Sequence, residues 1–184
     1  YYGMKDVEEN SLPLKSIIDA IKLRNKIIRN FETALLTDDP ELMNSLMDFV
    51  IVGGGPTGVE LAGALSELKR HVFPRDYKEL DMNKMDIHLV ESGSRLLGGM
   101  SEIASQKALE YLQKMGVHVH LNKAVKSYNG HEAVLNTGDK LISKTMVWAA
   151  GVKVQGFPGI SSEVIGRGGR IKVDEFNRVK GFEN

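Results

Sequence analysis

Six consecutive residues, Gly53-Gly54-Gly55-Pro56-Thr57-Gly58, carry the densest chemical information in this sequence. Their glycines follow the spacing G-x-G-x-x-G, between a short apolar run (Asp48–Val52) and a helix-forming stretch from Pro56 to about Val72. In that setting the pattern suits a dinucleotide. Gly53 allows the tight turn out of a strand, and Gly54 continues it. Gly55 lacks a Cβ, so a pyrophosphate can approach the backbone. Gly58 lets the helix lie close to the strand, with Ala62 and Gly63 keeping the same contact small. Free N–H groups and the positive end of the helix dipole would then meet the phosphate charge. A turn that merely reverses the chain would use the same residues.

A dinucleotide site also wants an acid at the end of the second strand, to accept from the adenosine ribose hydroxyls. Glu91 closes the run Lys84–Glu91, 33 residues after Gly58. That exceeds the usual ~20 residues past the motif, which Arg70–Asn83 explains if it is an insertion. A carboxylate there repels a 2′-phosphate, favouring NAD(H) over NADP(H). Arg95 is the counter-signal, since an arginine in this loop can hold that phosphate; a solvated strand end is the plainer account of Glu91. Thr57 and Glu60 lie in the first helical turn, where a glutamate is already favourable for the dipole. Trp148-Ala149-Ala150-Gly151 ends another buried strand. Its small residues permit a cofactor's close approach, although helix packing would ask for them equally. His118 and His120, two apart on a strand, share a face and could reach one metal, but no third ligand is apparent and no metal site is assigned. His71, His88 and His131 lack identifiable partners. No residue reads as a general acid or base, which suits chemistry carried out by cofactors.

The elements that must position these residues alternate. Leu14 to Leu35 recurs apolar at three- and four-residue steps, with Pro13 in its first turn. Asp39 caps a short second helix with Pro40 at its first position. Strands at 48–52, 84–91, 117–121 and 145–150 are separated by helices at 56–72 and 101–115, the last stopped by Gly116. Between 123 and 142 three short alternating segments are joined at Asn129-Gly130 and Thr137-Gly138-Asp139, a hairpin signature. Residues 170–173 read as a further strand. The expected class is α/β: a Rossmann-like parallel sheet with flanking helices, packed on both faces, and a small antiparallel β-meander.

Composition sets limits. The chain has 184 residues, 42% hydrophobic and 26% charged, enough for a real core. Its 24 basic and 24 acidic residues balance, so the basic excess of a nucleic-acid binder is missing. With no cysteine, disulfides and thiol chemistry within it are excluded. No apolar run approaches the ~20 residues of a membrane span. Glycine stands out at 19, five of them between Gly53 and Gly63.

Taken together, Val50 to Gly63, Leu14-Lys15-Ser16 through Leu23-Arg24-Asn25, Phe31-Glu32, Val90-Glu91-Ser92-Gly93 with Arg95, Trp148 to Val152 and Val173 to Val179 resemble the NADH-binding segment of type II NADH dehydrogenases. These are flavoproteins that pass electrons from NADH to quinone. The resemblance covers essentially the whole chain. It implies that Gly53, Gly54, Gly55, Pro56, Thr57 and Gly58 hold the pyrophosphate, that Glu91 binds the adenosine ribose with Ser92 and Arg95 beside it, and that Glu60, Ala150 and Gly151 lie at the nicotinamide. No catalytic residue is implied; hydride passes from the nicotinamide to FAD.

The family's flavin-binding motifs and membrane-docking region have no counterpart in these residues, so the expected organisation is that of an insert. Residues 1–47 would be a helical connection from the FAD domain, 48–152 the NADH-binding domain, and 153–184 an irregular segment leading back. The segment itself is expected to be soluble, to bind NADH weakly and to catalyse nothing alone. Its expected partners are NADH, its own FAD domain and, through other regions, quinone. The whole protein would be peripheral on the cytoplasmic side of a membrane, with a homodimer left open. Two alternatives stand beside this reading: the NAD(P)H domain of a disulfide-reductase-type flavoprotein, and a non-catalytic NADH-sensing module.

Overall fold

The computed structural model describes residues 1–151, 159–166 and 169–179. Residues 152–158, 167–168 and 180–184, all in or beside the segment expected to be irregular, lie outside the described residues. The chain divides into two compact units, Tyr1–Ala150 and Gly151–Asn184.

In chain order the first unit contains α1 (Lys5–Asn10), β1 (Leu12–Pro13), α2 (Ile17–Ala34), α3 (Pro40–Met47), β2 (Phe49–Val52), α4 (Pro56–His71), α5 (Phe73–Asp76), β3 (Ile87–Glu91), α6 (Glu102–Lys114), β4 (Val117–Leu121), β5 (Val125–Tyr128), β6 (Glu132–Leu135), β7 (Lys140–Ile142) and β8 (Thr145–Trp148). Five strands form a parallel sheet in the order β1-β8-β2-β3-β4. The other three form the antiparallel meander β5-β6-β7. This is the α/β architecture expected from the alternation of elements, and the hairpin turns carry Gly130 and Gly138 at positive φ (88° and 89°).

Strand β2 is buried along its whole length, and its alternation separates two cores. Phe49 and Ile51 join Leu23, Ile27, Phe31, Leu65, Leu89 and Leu112, so α2, α4 and α6 pack on one face. Val50 and Val52 join Val125, Tyr128, Leu135, Met146 and Trp148, so the meander covers the other. The expectation of helices on both faces is therefore corrected. Among the described residues, only the short α1, through Val7, adds helix to the meander side. Apolar side chains from either a helix or a second sheet satisfy the same face, and sequence periodicity does not distinguish them.

The N-terminal region holds the largest departures. Leu12 and Pro13 do not begin a helix; they pair in parallel with Val147 and Trp148 as an edge strand, where a proline is tolerated. Helix α2 starts later, at a capping box in which the Ser16 hydroxyl accepts from Asp19 N–H and the Asp19 carboxylate accepts from Ser16 N–H. Its first apolar residues, Ile17, Ile18 and Ile21, are exposed, while Asn30 is buried and donates to Thr145 Oγ1 at 2.9 Å. Helix α1 was not foreseen. It holds Asp6, whose carboxylate accepts from Tyr128 N–H at 2.9 Å, and the ring of Tyr1 lies 5.3 Å from that of Trp148.

The second unit carries little regular structure among its described residues. A single 3-10 turn, Ser162–Val164, is capped by Ser161. Residues 170–173 form no strand; Ile171 and Val173 make only isolated bridges, to Ile165 and Val179.

Candidate functional site

Going outward from β2, the chain runs to β3 and β4 on one side and later returns through β8 on the other. The carboxyl ends of β2 and β8 therefore flank a topological switch point, the usual place for a ligand in an open parallel sheet. The glycine turn sits there. Gly53 has φ +114°, and a Cβ on it would stand 2.8 Å from the backbone nitrogen of Ala150. Ala149 N–H donates to Val52 O at 2.8 Å, fastening the two strand ends together. The backbone at 149 and 150 thus requires glycine at 53.

The glycines divide by what surrounds them. A Cβ on Gly58 would overlap the carbonyl oxygen of Gly53, so only glycine lets α4 start this close to the turn. A Cβ on Gly54 would meet Leu96 Cδ2 at 2.7 Å and Glu91 Cβ at 2.9 Å. Gly55 differs: it is the N-cap of α4, and nothing lies within 4 Å of where its Cβ would be. Gly63 is equally open, which corrects its expected part in helix–sheet packing; Ala62, fully buried, takes part in that contact without it.

Among the described residues, the N–H groups of Gly55, Thr57 and Gly58 make no hydrogen bond, and no side chain caps α4. Pro56, at the first helical position, has no N–H to satisfy. Three unpaired donors thus gather with the positive end of a 16-residue helix at the switch point. Thr57 and Glu60 are exposed on the first turn.

Glu91 ends β3 and turns back onto the glycine loop. One carboxylate oxygen accepts from Gly54 N–H at 2.6 Å; the other accepts from Gly93 N–H at 2.6 Å and from the Ser92 hydroxyl at 3.2 Å. Gly53 N–H meanwhile donates to Val90 O, and Leu97 N–H donates to Gly54 O, both at 2.8 Å. The carboxylate is a clamp between the turn and the loop after β3, so a solvated strand end does not describe it. A carboxylate offers about four lone-pair positions, which leaves acceptor capacity for a ligand. Arg95 points its guanidinium along its own loop, donating to Gly98 O at 3.0 Å with Glu102 at 3.9 Å. Ala150 is half-buried beside Gly53, and Gly151 has φ +75°.

Sequence reasoning missed Gly93, Leu96 and Leu97, which complete the clamp. Leu97 adopts φ +50°, a conformation its residue type does not announce. It also missed the setting of His88, which has neighbours after all: His88 Nδ1 lies 3.1 Å from His120 Nε2, on the opposite margin of the sheet from β1.

Residues 10–184 match the family model described as pyridine nucleotide-disulphide oxidoreductase. The chain belongs to this family. Over its whole length it is 31% identical to the type II NADH:quinone oxidoreductase Ndh of Mycobacterium tuberculosis, covering 42% of that protein. It is 30% identical to the external alternative NAD(P)H-ubiquinone oxidoreductase B3, mitochondrial, of Arabidopsis thaliana, covering 33% of it. The chain thus spans less than half the length of these relatives. In fold it is similar to NDH2 from Plasmodium falciparum in complex with NADH, with a TM-score of 0.78 at 24% identity, over 84% of this chain and 32% of that one.

Proposed function

We propose that this chain seats NADH for a flavin-dependent NADH:quinone oxidoreductase. The observation that carries the reading is the open cradle at the switch point, where the unpartnered N–H groups of Gly55, Thr57 and Gly58 meet a glycine with free space around it. Those groups suit the pyrophosphate of a dinucleotide. The relatives' names supply NADH and quinone, and the resemblance of the sequence supplies FAD.

Within this reading, Gly53, Gly54 and Pro56 shape the turn around the pyrophosphate. Glu91 uses its remaining lone pairs on the adenosine ribose, with Ser92 and Arg95 beside it, and Glu60, Ala150 and Gly151 border the nicotinamide. When bound, FAD supplies the hydride acceptor. The chain's own task is to fix the nicotinamide's position and keep it fixed. Docking of a flavin domain, peripheral attachment to a membrane and a homodimer belong to the same proposal; among the described residues, no helix is long and apolar enough to cross a membrane.

The disulfide-reductase reading shares this family but receives no thiol from a chain without cysteine. The sensing reading differs only in lacking electron transfer. NADH titrated against the protein, with NADPH as control, tests the core of the proposal. NADH should bind more tightly, and Glu91→Arg should weaken it by about 1.5–3 kcal/mol, the worth of a hydrogen bond to a charged group. Because Glu91 also clamps the turn, the informative quantity is the NADH-to-NADPH affinity ratio. An unchanged ratio in Glu91→Arg removes Glu91 from the ribose site, and absence of NADH binding at millimolar concentration removes the proposal.

A further inference from the structure

Among the described residues, four other than glycine hold a positive φ: Tyr2 (51°), Leu97 (50°), Asn122 (55°) and Asn177 (62°). Asparagine tolerates this backbone because its short amide can bond locally, whereas a bulky side chain is strained there. The two bulky residues, Tyr2 and Leu97, stand on opposite sides of the glycine turn that leaves β2. Leu97 belongs to the clamp on the β3 side, where its N–H donates to Gly54 O. Tyr2 lies on the β8 side, against Trp148. Strain of this kind persists only where the surroundings impose it, and it gathers at active sites and ligand clamps.

A tight turn holds Tyr2 in place. Tyr2 and Gly3 (φ +85°) are its two central residues, and Met4 N–H closes it onto Tyr1 O at 3.1 Å. A turn with positive φ at both central positions takes Asn-Gly far more readily than Tyr-Gly, so local propensity does not account for the tyrosine. Core packing does not account for it either. Tyr1 is drawn in, its ring 5.3 Å from that of Trp148, and joins Met4 and Ala150 against the meander-side core. The ring of Tyr2 meets Trp148 edge-on at 6.0 Å and is otherwise turned out, 79% exposed.

The strand register says where that exposed ring stands. Trp148 pairs with Val52, the residue before Gly53, and Ala150 follows two positions later beside the turn. Strand β2 lies between β8 and β3. With neighbouring strands about 4.8 Å apart, the end of β8 is about 10 Å from the end of β3 that carries Glu91. A dinucleotide whose adenosine ribose rests on Glu91 and whose pyrophosphate rests at Gly55 carries its nicotinamide onward to β8, where Ala150 and the Tyr2 ring are found. An aromatic face is a favourable surface for a flat heterocycle.

We propose that Tyr2 is a wall of the nicotinamide subsite, its ring packing against the nicotinamide ring of bound NADH. The inference rests on the reading of this chain as a seat for NADH and adds to that seat a residue from outside the glycine turn. Calorimetric titration tests it, with ADP-ribose as the probe that carries the adenosine ribose and the pyrophosphate but no nicotinamide. Tyr2→Gly removes the ring and suits the left-handed backbone, so the turn is kept. It should weaken NADH by about three- to tenfold, the worth of one aromatic pair, and leave ADP-ribose unchanged. Tyr2→Asn, also at ease in this backbone, should reproduce that pattern, and Tyr2→Phe should recover most of the NADH affinity. Circular dichroism checks each fold. Equal weakening of both ligands, or NADH affinity indifferent to residue 2, overturns the wall while the seat stands. If the wild-type protein binds no NADH, the seat itself falls and the wall with it.

Discussion

The two ends of the parallel sheet treat polar groups in opposite ways. At the amino ends of β2 and β8 they are buried and satisfied. The Ser143 hydroxyl donates to Asp48 O at 2.5 Å and accepts from Thr145 N–H at 3.0 Å, the Tyr128 hydroxyl donates to Ser143 O at 2.9 Å, and Asn30 holds the Thr145 hydroxyl. At the carboxyl ends, Gly55, Thr57 and Gly58 leave their N–H groups unanswered. Buried polar groups are costly to leave unpaired, so the closed end acts as structure. The open end leaves its donors free, as the proposed seat for NADH requires.

Substitutions that separate packing from openness test this contrast. Gly58→Val forces a side chain into the Gly53 carbonyl. It should lower stability by about 3 kcal/mol and abolish NADH binding. Gly55→Val, in open space, should abolish binding while lowering stability by only about 1 kcal/mol, the cost of a poorer N-cap. Equal loss of stability in both would erase the distinction between the two glycines. At the closed end, Ser143→Ala strips Thr145 N–H and the strand ends of a shared partner. Urea unfolding should show about 1–3 kcal/mol of lost stability, with NADH affinity unchanged; an altered affinity would mean that the two ends are coupled.

The smallest effect is a tilt in the pH profile. Burial, aided by the nearby Asp86, pushes the Asp48 carboxyl up to about 7 from its ordinary 3.8. Its folded value lies above the unfolded one, so its contribution is complete below about pH 4 and is lost as pH rises through 7. His88 runs the other way. Its folded value of about 4 lies below the ordinary 6.5, so its contribution is present above pH 6.5 and is lost as pH falls through 4. Between pH 4 and 6.5 the two slopes oppose. Asp48→Asn should leave stability rising with pH across that window, and His88→Gln should leave it falling; parallel profiles would refute the pairing.

Much of this was legible because it is local. Asp39 and Pro40 announce the start of α3, Ser101 caps α6, and Gly116, at φ +83°, stops it. The glycine turn was readable because each glycine answers a constraint within a few residues or across one strand pair. What the residues did not disclose was pairing between distant segments. Two residues, Leu12 and Pro13, are too short a strand to signal themselves, and their place depends on β8. The meander replaces helices on one face because both supply apolar side chains. Asn30 turns inward only because Thr145 waits there, while Ile17 and Ile18, the more apolar residues, stay outside. His88 gained neighbours through strand register, which a single strand's pattern does not contain.

The pairing of Leu12 with Val147, joined by the contact of Asp6 with Tyr128, also bears on how the molecule assembles. The segment holding α1 and β1 takes its place only after nearly all of the first unit has been made. Contacts between such distant residues form late, because their loop-closure entropy is recovered only once the intervening chain is ordered. Until β8 has been made, the edge of β2 that it covers has no partner, and a nascent chain carries an unpaired sheet edge open to another chain.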